Sequence, residues 1–159
     1  MKIIGLDKDG VLTASPVHFG SRSRLLMGAW DALGMLGIGQ MILAHTEPRE
    51  WMCEWVRRLH AAGQQIRIIT APGRRYERTS GRWLEAQSVP YDHLIFCDPR
   101  NVVAEKAAAA AVCDWYIDNE QELLVGMRGV YARQGISGPR LLNSTREQRD
   151  IVKLGIELR

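Results

Sequence analysis

The chain has 159 residues and a mass of 17.9 kDa, with 46% hydrophobic and 25% charged residues and a formal net charge of +3. These proportions fit one ordinary globular domain with a core of useful size, and they exclude disordered and fibrous architectures. No apolar run approaches the 18 or so residues that span a bilayer, so no membrane partner is expected. The opening Met1-Lys2-Ile3-Ile4-Gly5-Leu6-Asp7 meets an acid too early for the apolar region of a signal peptide, which predicts an intracellular, cytoplasmic protein. Cys53, Cys97 and Cys113 are odd in number and lack CxxC spacing, which argues for reduced core thiols rather than a disulfide framework or a zinc site.

In chain order, residues 2–6 form a short apolar run that stops at Asp7-Lys8-Asp9-Gly10, a strand running into a loop. Roughly 30 residues follow where a doubly wound fold usually enters its helix within a few. Within that stretch Leu26, Trp30, Leu33 and Leu36 predict one amphipathic helix over Ser21–Leu36, so residues 14–45 are expected to form a small cap inserted after the first strand. Trp51, Trp55 and Leu59 then fall at helical spacing, with Thr46 or Glu47 near the start and Gly63 at the stop. Ile66–Thr70 is a second strand, ended by Ala71-Pro72-Gly73. Tyr76, Thr79, Trp83 and Ala86 mark a helix that finishes before Pro90. Leu94–Cys97 is a third strand, alanine-rich Val102–Val112 a helix, Trp115–Ile117 a fourth strand, Glu120–Met127 a short helix and Val130–Ala132 a fifth strand. The tail is expected to end in a helix capped at Ser144, with Glu147 three residues on.

Strands alternating with helices mean βαβ units. The expected fold is a single doubly wound α/β domain over residues 1–159, with a parallel sheet of about five strands and no internal repeat. The tryptophans at helical spacing are expected in the core. Arginine is unevenly spread: Arg57, Arg58, Arg67, Arg74, Arg75, Arg78 and Arg82 are opposed within their stretch only by Glu77. Such a cluster serves either as a solvated surface or as an attractor of phosphorylated ligands, and charge alone does not decide.

Ligands of open α/β sheets bind at the carboxyl ends of the strands, so the polar residues that end them are the candidates. These are Asp7 and Asp9 after the first strand, Thr70 after the second, and Asp118 with Asn119 after the fourth, joined by Lys106 from the intervening helix. Converging carboxylates repel unless a cation sits among them, and two carboxylates with water and a phosphate oxygen are a usual Mg²⁺ environment. A metal, a nucleophile, a hydroxyl and a lysine suit phosphoryl transfer. Asp-Lys-Asp-Gly as a mere turn leaves Thr70, Lys106 and Asp118 unexplained, and the run is no EF-hand, since Val11 stands where a third ligand is required. The four histidines lack ligand spacing, and Asp114 is expected to be a surface or capping residue.

In their order and wording, Ile3-Ile4-Gly5-Leu6-Asp7-Lys8-Asp9-Gly10-Val11-Leu12-Thr13, Ile68-Ile69-Thr70, Lys106 and Trp115-Tyr116-Ile117-Asp118-Asn119 resemble the four motifs of the haloacid dehalogenase superfamily of phosphohydrolases. The resemblance spans about residues 2–135. Ile69-Thr70-Ala71-Pro72 and Tyr91-Asp92-His93-Leu94-Ile95-Phe96 are similar to 5'(3')-deoxyribonucleotidase-type members, while Gly73-Arg74 through Thr79, with Trp83-Leu84, looks like the 3'-phosphatase domain of polynucleotide kinase/phosphatases. The resemblance implies that Asp7 attacks phosphorus, Asp9 is the general acid and base, and Thr70 and Lys106 hold the phosphoryl oxygens. It further implies Mg²⁺ on Asp7, the main-chain carbonyl of Asp9, and Asp118. Arg74, Arg75 and Arg78 follow the strand that carries Thr70 and are expected near the mouth of the site, so Ala71, Arg74 and Arg75 are candidate substrate contacts. Many relatives carry two aspartates where this chain has Asp118-Asn119, and asparagine supplies no second charge.

The expected activity is hydrolysis of nucleotide monophosphates, with phosphorylated nucleic-acid ends as the alternative substrate. A response-regulator receiver also gathers acids, a threonine and a lysine, but in another chain order. A non-catalytic nucleic-acid-binding module that keeps the fold is favoured by Asn119 and opposed by the intact Asp7 and Asp9.

Overall fold

A computed structural model describes residues 1–14, 38–72 and 74–158. Its elements are β1 (Ile3–Leu6), α1 (Ile38–Ala44), α2 (Glu50–Ala61), β2 (Gln65–Thr70), α3 (Glu77–Ala86), β3 (His93–Phe96), α4 (Val102–Ala110), β4 (Trp115–Asp118), α5 (Gln121–Gln134), β5 (Arg140–Asn143) and α6 (Gln148–Glu157). Short 3₁₀ turns at Arg74–Tyr76 and Pro99–Asn101 lead into α3 and α4. The five strands form one parallel sheet in the order β3-β2-β1-β4-β5, the doubly wound α/β architecture expected from the sequence. The chain winds outward from β1 to β3 and then returns to lay β4 on the other side of β1, so β1 lies at the switch point.

Alternation along β1 divides the core into two layers. Ile4 and Leu6 face α2, α3 and α6, joining Trp55, Leu59, Ile66, Ile68, Trp83, Ile151 and Leu154. On the opposite face Ile69, Tyr116, Ala107, Ala110, Leu124 and Met127 pack under α4 and α5. Trp55 and Trp83 are buried as expected, and Trp51 packs half-buried against the same layer. The alanines of α4 let that helix lie close to its neighbours. A Cβ on Gly126 of α5 would come within 2.9 Å of Val103 on α4, and the Tyr131 hydroxyl of α5 donates to the Ala107 carbonyl at 2.8 Å.

The helix predicted at Ser21–Leu36 lies outside the described residues. Residues 12–14, which leave the first loop, meet residues 47–49, which lead into α2: the Ala14 amide donates to the Glu47 carbonyl at 2.8 Å, the Arg49 amide to the Leu12 carbonyl at 2.7 Å, and Thr13 bridges to Pro48. Beyond them α1 packs on α3.

Two expectations near the C-terminus are corrected. Val130–Ala132 is not a strand; it continues α5, whose buried residues Leu123, Leu124, Met127 and Tyr131 keep one helical face as far as Gly135, a left-handed cap at φ 65°. The β propensity of Val130 and Tyr131 is overridden by packing. The fifth strand is instead Arg140–Asn143, paired with β4 from Trp115↔Arg140 to Asp118↔Asn143. Nor does Ser144 cap the last helix. Asn143 Oδ1 accepts from the Thr145 and Arg146 amides at 3.0 Å each, and the Glu147 carboxylate takes the Asn143 amide at 2.5 Å. Asp114, expected as a surface or capping residue, clamps the start of β1 by accepting from the Ile3 amide and the Lys2 ammonium at 2.8 Å each.

Gly5 lies where β1 crosses the second layer. A Cβ there would stand 2.9 Å from the Tyr116 ring and 3.0 Å from Cys113 Sγ. Gly5→Ala should therefore destabilise the protein by about 1–3 kcal/mol through overpacking, read as a lower urea midpoint at unchanged m-value.

Candidate active site

Sheet register brings the candidate residues to one edge. Leu6 pairs with Ile68 of β2 and with Ile117 of β4, and the Asp7 amide donates to the Ile117 carbonyl at 2.9 Å. Asp7 and Asp118 thus leave adjacent strands side by side, with Thr70 at the end of β2 on the other side of β1. Lys106 reaches them from the second turn of α4. Its Nζ lies 2.9 Å from Asp7 Oδ1 and 2.9 Å from Asp118 Oδ2, with all three side chains buried.

Two donors complete the Asp118 carboxylate. Tyr116, two residues earlier and therefore on the same face of β4, gives its hydroxyl to Oδ2 at 2.8 Å, and the Glu120 amide gives its hydrogen to Oδ1 at 2.9 Å. Tyr116 was not anticipated as a site residue, although strand periodicity would have found it.

Asp9 belongs to a second group on the opposite layer. Its Oδ2 accepts from the Thr70 hydroxyl at 3.3 Å and its Oδ1 from the Lys8 ammonium at 2.6 Å. Lys8 is fully buried and lies over the Trp83 ring, 5.3 Å from its centroid. The sequence reading assigned Lys8 no role, yet its place between two aspartates was the available signal. The loop carrying these residues turns at Gly10, whose φ of 84° suits glycine and whose Cβ position would strike the Asn119 amide. Asn119 Oδ1 is buried with no hydrogen-bond partner, and the main-chain carbonyl of Asn119 accepts from Asn143 Nδ2 at 3.1 Å.

Crowding sets the electrostatics. Burial pushes the Asp7 carboxyl up from 3.8 to about 8; the Lys106 ammonium opposes this, and the Asp118 and Asp9 carboxylates add to the rise. Burial works against the charge on Lys106, but Asp118 and Asp7 outweigh it and hold the ammonium well above its ordinary range. The Tyr116 phenol is raised by burial and then by the Asp118 charge, so it acts as a donor. Lys106 balances one of the two negative charges it touches.

That excess, an all-oxygen donor set and the orphaned Asn119 Oδ1 suit a hard divalent cation. Among the described residues no three His, Cys, Asp or Glu side chains gather as a metal-holding group, because the Asp9 carboxylate turns toward Lys8 and Thr70. The pair that could hold a metal is Asp7 with Asp118.

The arginine cluster divides. Arg57 and Arg58 are taken up by Glu54, Arg57 also donating to the Gln87 and Ser88 carbonyls, and Arg67 lies within β2. Ala71 stands half-buried just beyond Thr70; Arg74 and Arg75 are exposed on the 3₁₀ turn that follows, and Arg78 is exposed in the first turn of α3.

No family model matches the sequence, and no curated protein matches it. Solved structures do. Two structures of a Pnkp1/Rnl/Hen1 complex, one described as an RNA repair complex, align over 89% of this chain at TM-scores of 0.57 and 0.54, with 12% and 14% identity. This likeness shows the fold: the chain shares its doubly wound α/β architecture with those two structures. The chain spans less than half of each of those two proteins, 45% and 43%. D,D-heptose 1,7-bisphosphate phosphatase from B. bronchiseptica, complexed with magnesium and phosphate, aligns over 89% of this chain and 92% of its own at 14% identity and a TM-score of 0.48. No helix among the described residues is long and apolar enough to cross a membrane.

A carboxyl whose pKa is higher folded than unfolded binds its proton more tightly when folded. Stability without metal should therefore fall as pH rises from about 4 towards 8, the interval between the ordinary and the raised Asp7 values. Asp7→Asn removes this cost. In EDTA it should raise the melting temperature at pH 8 and have a much smaller effect at pH 5, as measured by calorimetry.

Proposed function

We propose that the protein is a Mg²⁺-dependent phosphomonoester hydrolase acting on nucleotide monophosphates through an aspartyl-phosphate. The observation that carries this reading is the buried Lys106 ammonium bound at 2.9 Å to both Asp7 and Asp118 at the switch point of the sheet. A fixed cation between strand-end carboxylates is the electrostatic frame that phosphoryl transfer needs, since the reaction develops charge on oxygens that must be held in place.

An Asp7 carboxylate oxygen forms the bond to phosphorus as the bond to the leaving oxygen breaks, and Asp9 delivers a proton to that oxygen. Asp9, now a carboxylate, takes a proton from water; the water oxygen attacks phosphorus, and the bond to Asp7 breaks. Thr70 and Lys106 hold the phosphoryl oxygens during both steps. Asp7, the Asp9 main-chain carbonyl and Asp118 would hold the Mg²⁺, which supplies positive charge that favours the ionised Asp7 and offsets the charge of the phosphoryl group. Two easier displacements replace hydrolysis of a phosphomonoester, among the slowest reactions known without catalysis.

Ala71, Arg74 and Arg75 follow Thr70 and form the substrate side of the site. Residues 14–45 are read as a small cap on the single domain, too short to cover the whole crevice, which leaves room for a nucleoside. A second reading, hydrolysis of 3'-phosphorylated nucleic-acid ends, is supported by the fold shared with a component of an RNA repair complex.

Three measurements test this function. With Mg²⁺ and a panel of phosphomonoesters, Asp7→Asn should lower phosphate release by at least about a thousandfold while the far-ultraviolet spectrum stays unchanged. Undiminished turnover would overturn the mechanism. Asp118→Ala should raise the Mg²⁺ concentration needed for half-maximal rate by about tenfold or more. Arg74→Ala with Arg75→Ala should raise KM for nucleotides more than for an aryl phosphate, and for oligonucleotides the loss should depend on salt. Equal effects on both substrate types would remove the nucleotide assignment.

A further inference from the structure

Lys8 stands outside the mechanism above, yet it is 0% exposed, with its charge taken below β1 rather than out to solvent. A buried ammonium needs an anion and further favourable partners. Lys8 has the Asp9 carboxylate at 2.6 Å and the Trp83 ring face at 5.3 Å. Trp83 is itself fixed, 3% exposed and donating its indole N–H to the Thr46 carbonyl at 2.7 Å. Lys106 already serves Asp7 and Asp118 from the other layer, so Lys8 is committed to Asp9.

The two oxygens of Asp9 are therefore unequal. Oδ1 faces an ammonium, which has three donors and no acceptor, so a carboxyl hydrogen cannot be directed to it. Oδ2 faces the Thr70 hydroxyl, which has a single hydrogen to give. When that hydrogen turns to a phosphoryl oxygen, Oδ2 is released and Oδ1 stays held.

Resting on the phosphatase reading, we propose that Lys8 is the positioning residue of the general acid and base. It anchors Asp9 through Oδ1 on a cation–π seat, so that Oδ2 alone carries the proton to the leaving oxygen and later takes one from water. The proton passes from Oδ2 to the leaving oxygen as the phosphorus–oxygen bond breaks and the bond to Asp7 forms, leaving Asp9 as the carboxylate that Lys8 already holds.

The test compares an alkyl phosphomonoester, whose alkoxide leaves only if protonated, with p-nitrophenyl phosphate, whose phenolate leaves unaided. Lys8→Met should lower kcat for the alkyl substrate by about a hundredfold, within the range of general acid catalysis, with KM changed less than about threefold. The pre-steady-state release of nitrophenolate should change less than about threefold, because that step needs no proton. In an Asp9→Asn background the same substitution should cost no more than about threefold, since nothing remains to be positioned. Lys8→Arg, which keeps a cation over Trp83, should recover most of the alkyl rate.

If Lys8→Met does not fold, Trp83→Phe carries the comparison, with a smaller loss confined to the alkyl substrate. Equal losses on both substrates, or the same loss in the Asp9→Asn background, would overturn the positioning role while leaving the phosphatase reading intact. A wild-type protein that hydrolyses neither ester would overturn both.

Discussion

Two carboxylates from neighbouring strands are buried together at the carboxyl end of the sheet, and Lys106 is the group that makes this tolerable. Asp7 and Asp118 would each be costly to bury as ions, and their proximity would add repulsion. A single ammonium 2.9 Å from both converts the arrangement into a hydrogen-bonded triad. The remainder of the second layer serves that contact. Alanines on α4 bring its axis near the sheet, the Tyr131 hydroxyl ties α4 to α5, and Tyr116 fills the space beneath Asp118 while donating to it. The compensation is incomplete, since one positive charge meets two negative ones, and Asp7 shows the residue as a strongly raised affinity for its proton.

The first layer carries a parallel arrangement with different chemistry. Thr70 and Lys8 approach Asp9 from the side of α2 and α3, while Lys106 approaches Asp7 from the side of α4. Two charge systems thus meet at the end of β1, joined by the three-residue run Asp7-Lys8-Asp9, and they feel each other, since the Asp9 carboxylate adds to the rise at Asp7. Alternation along an extended chain sends its first and third residues to one face and its second to the other. The chain escapes that restriction because β1 ends at Leu6 and the backbone bends at Lys8 into the turn through Asp9 and Gly10, which lets Asp9 join the layer of Lys8.

Much of this was legible from residue order. Four of the five strands, the central helices and the residues ending β1, β2 and β4 follow from apolar runs and the polar residues that stop them. The fifth strand was misplaced because Val130 and Tyr131 look strand-like in isolation, whereas the helical face of Leu123, Leu124 and Met127 extends through them. Arg140–Asn143, with only two apolar residues after Gly138-Pro139, carries too little pattern to announce itself. Within the site, sequence order named Asp7, Asp9, Thr70, Lys106 and Asp118 but not their division into two groups. That division depends on which face each side chain takes after its strand ends, which is decided by loop geometry across 61 residues for Thr70 and Asp9 and 99 for Lys106 and Asp7.

The packing of Gly126 against Val103 gives the site a dependence on a place remote from it. Val103 precedes Lys106 by three residues and so shares its side of α4. The clearance at Gly126 leaves no room for even one methyl group. A rigid helix transmits a push at one turn to the next, so the position of the bridging ammonium is calibrated by the spacing of two helices and not by its immediate neighbours alone. Alanine at residue 126, a change that would pass as conservative in a sequence, would act as a wedge. Its consequence would be felt as a misaligned cation at the far end of a long flexible side chain.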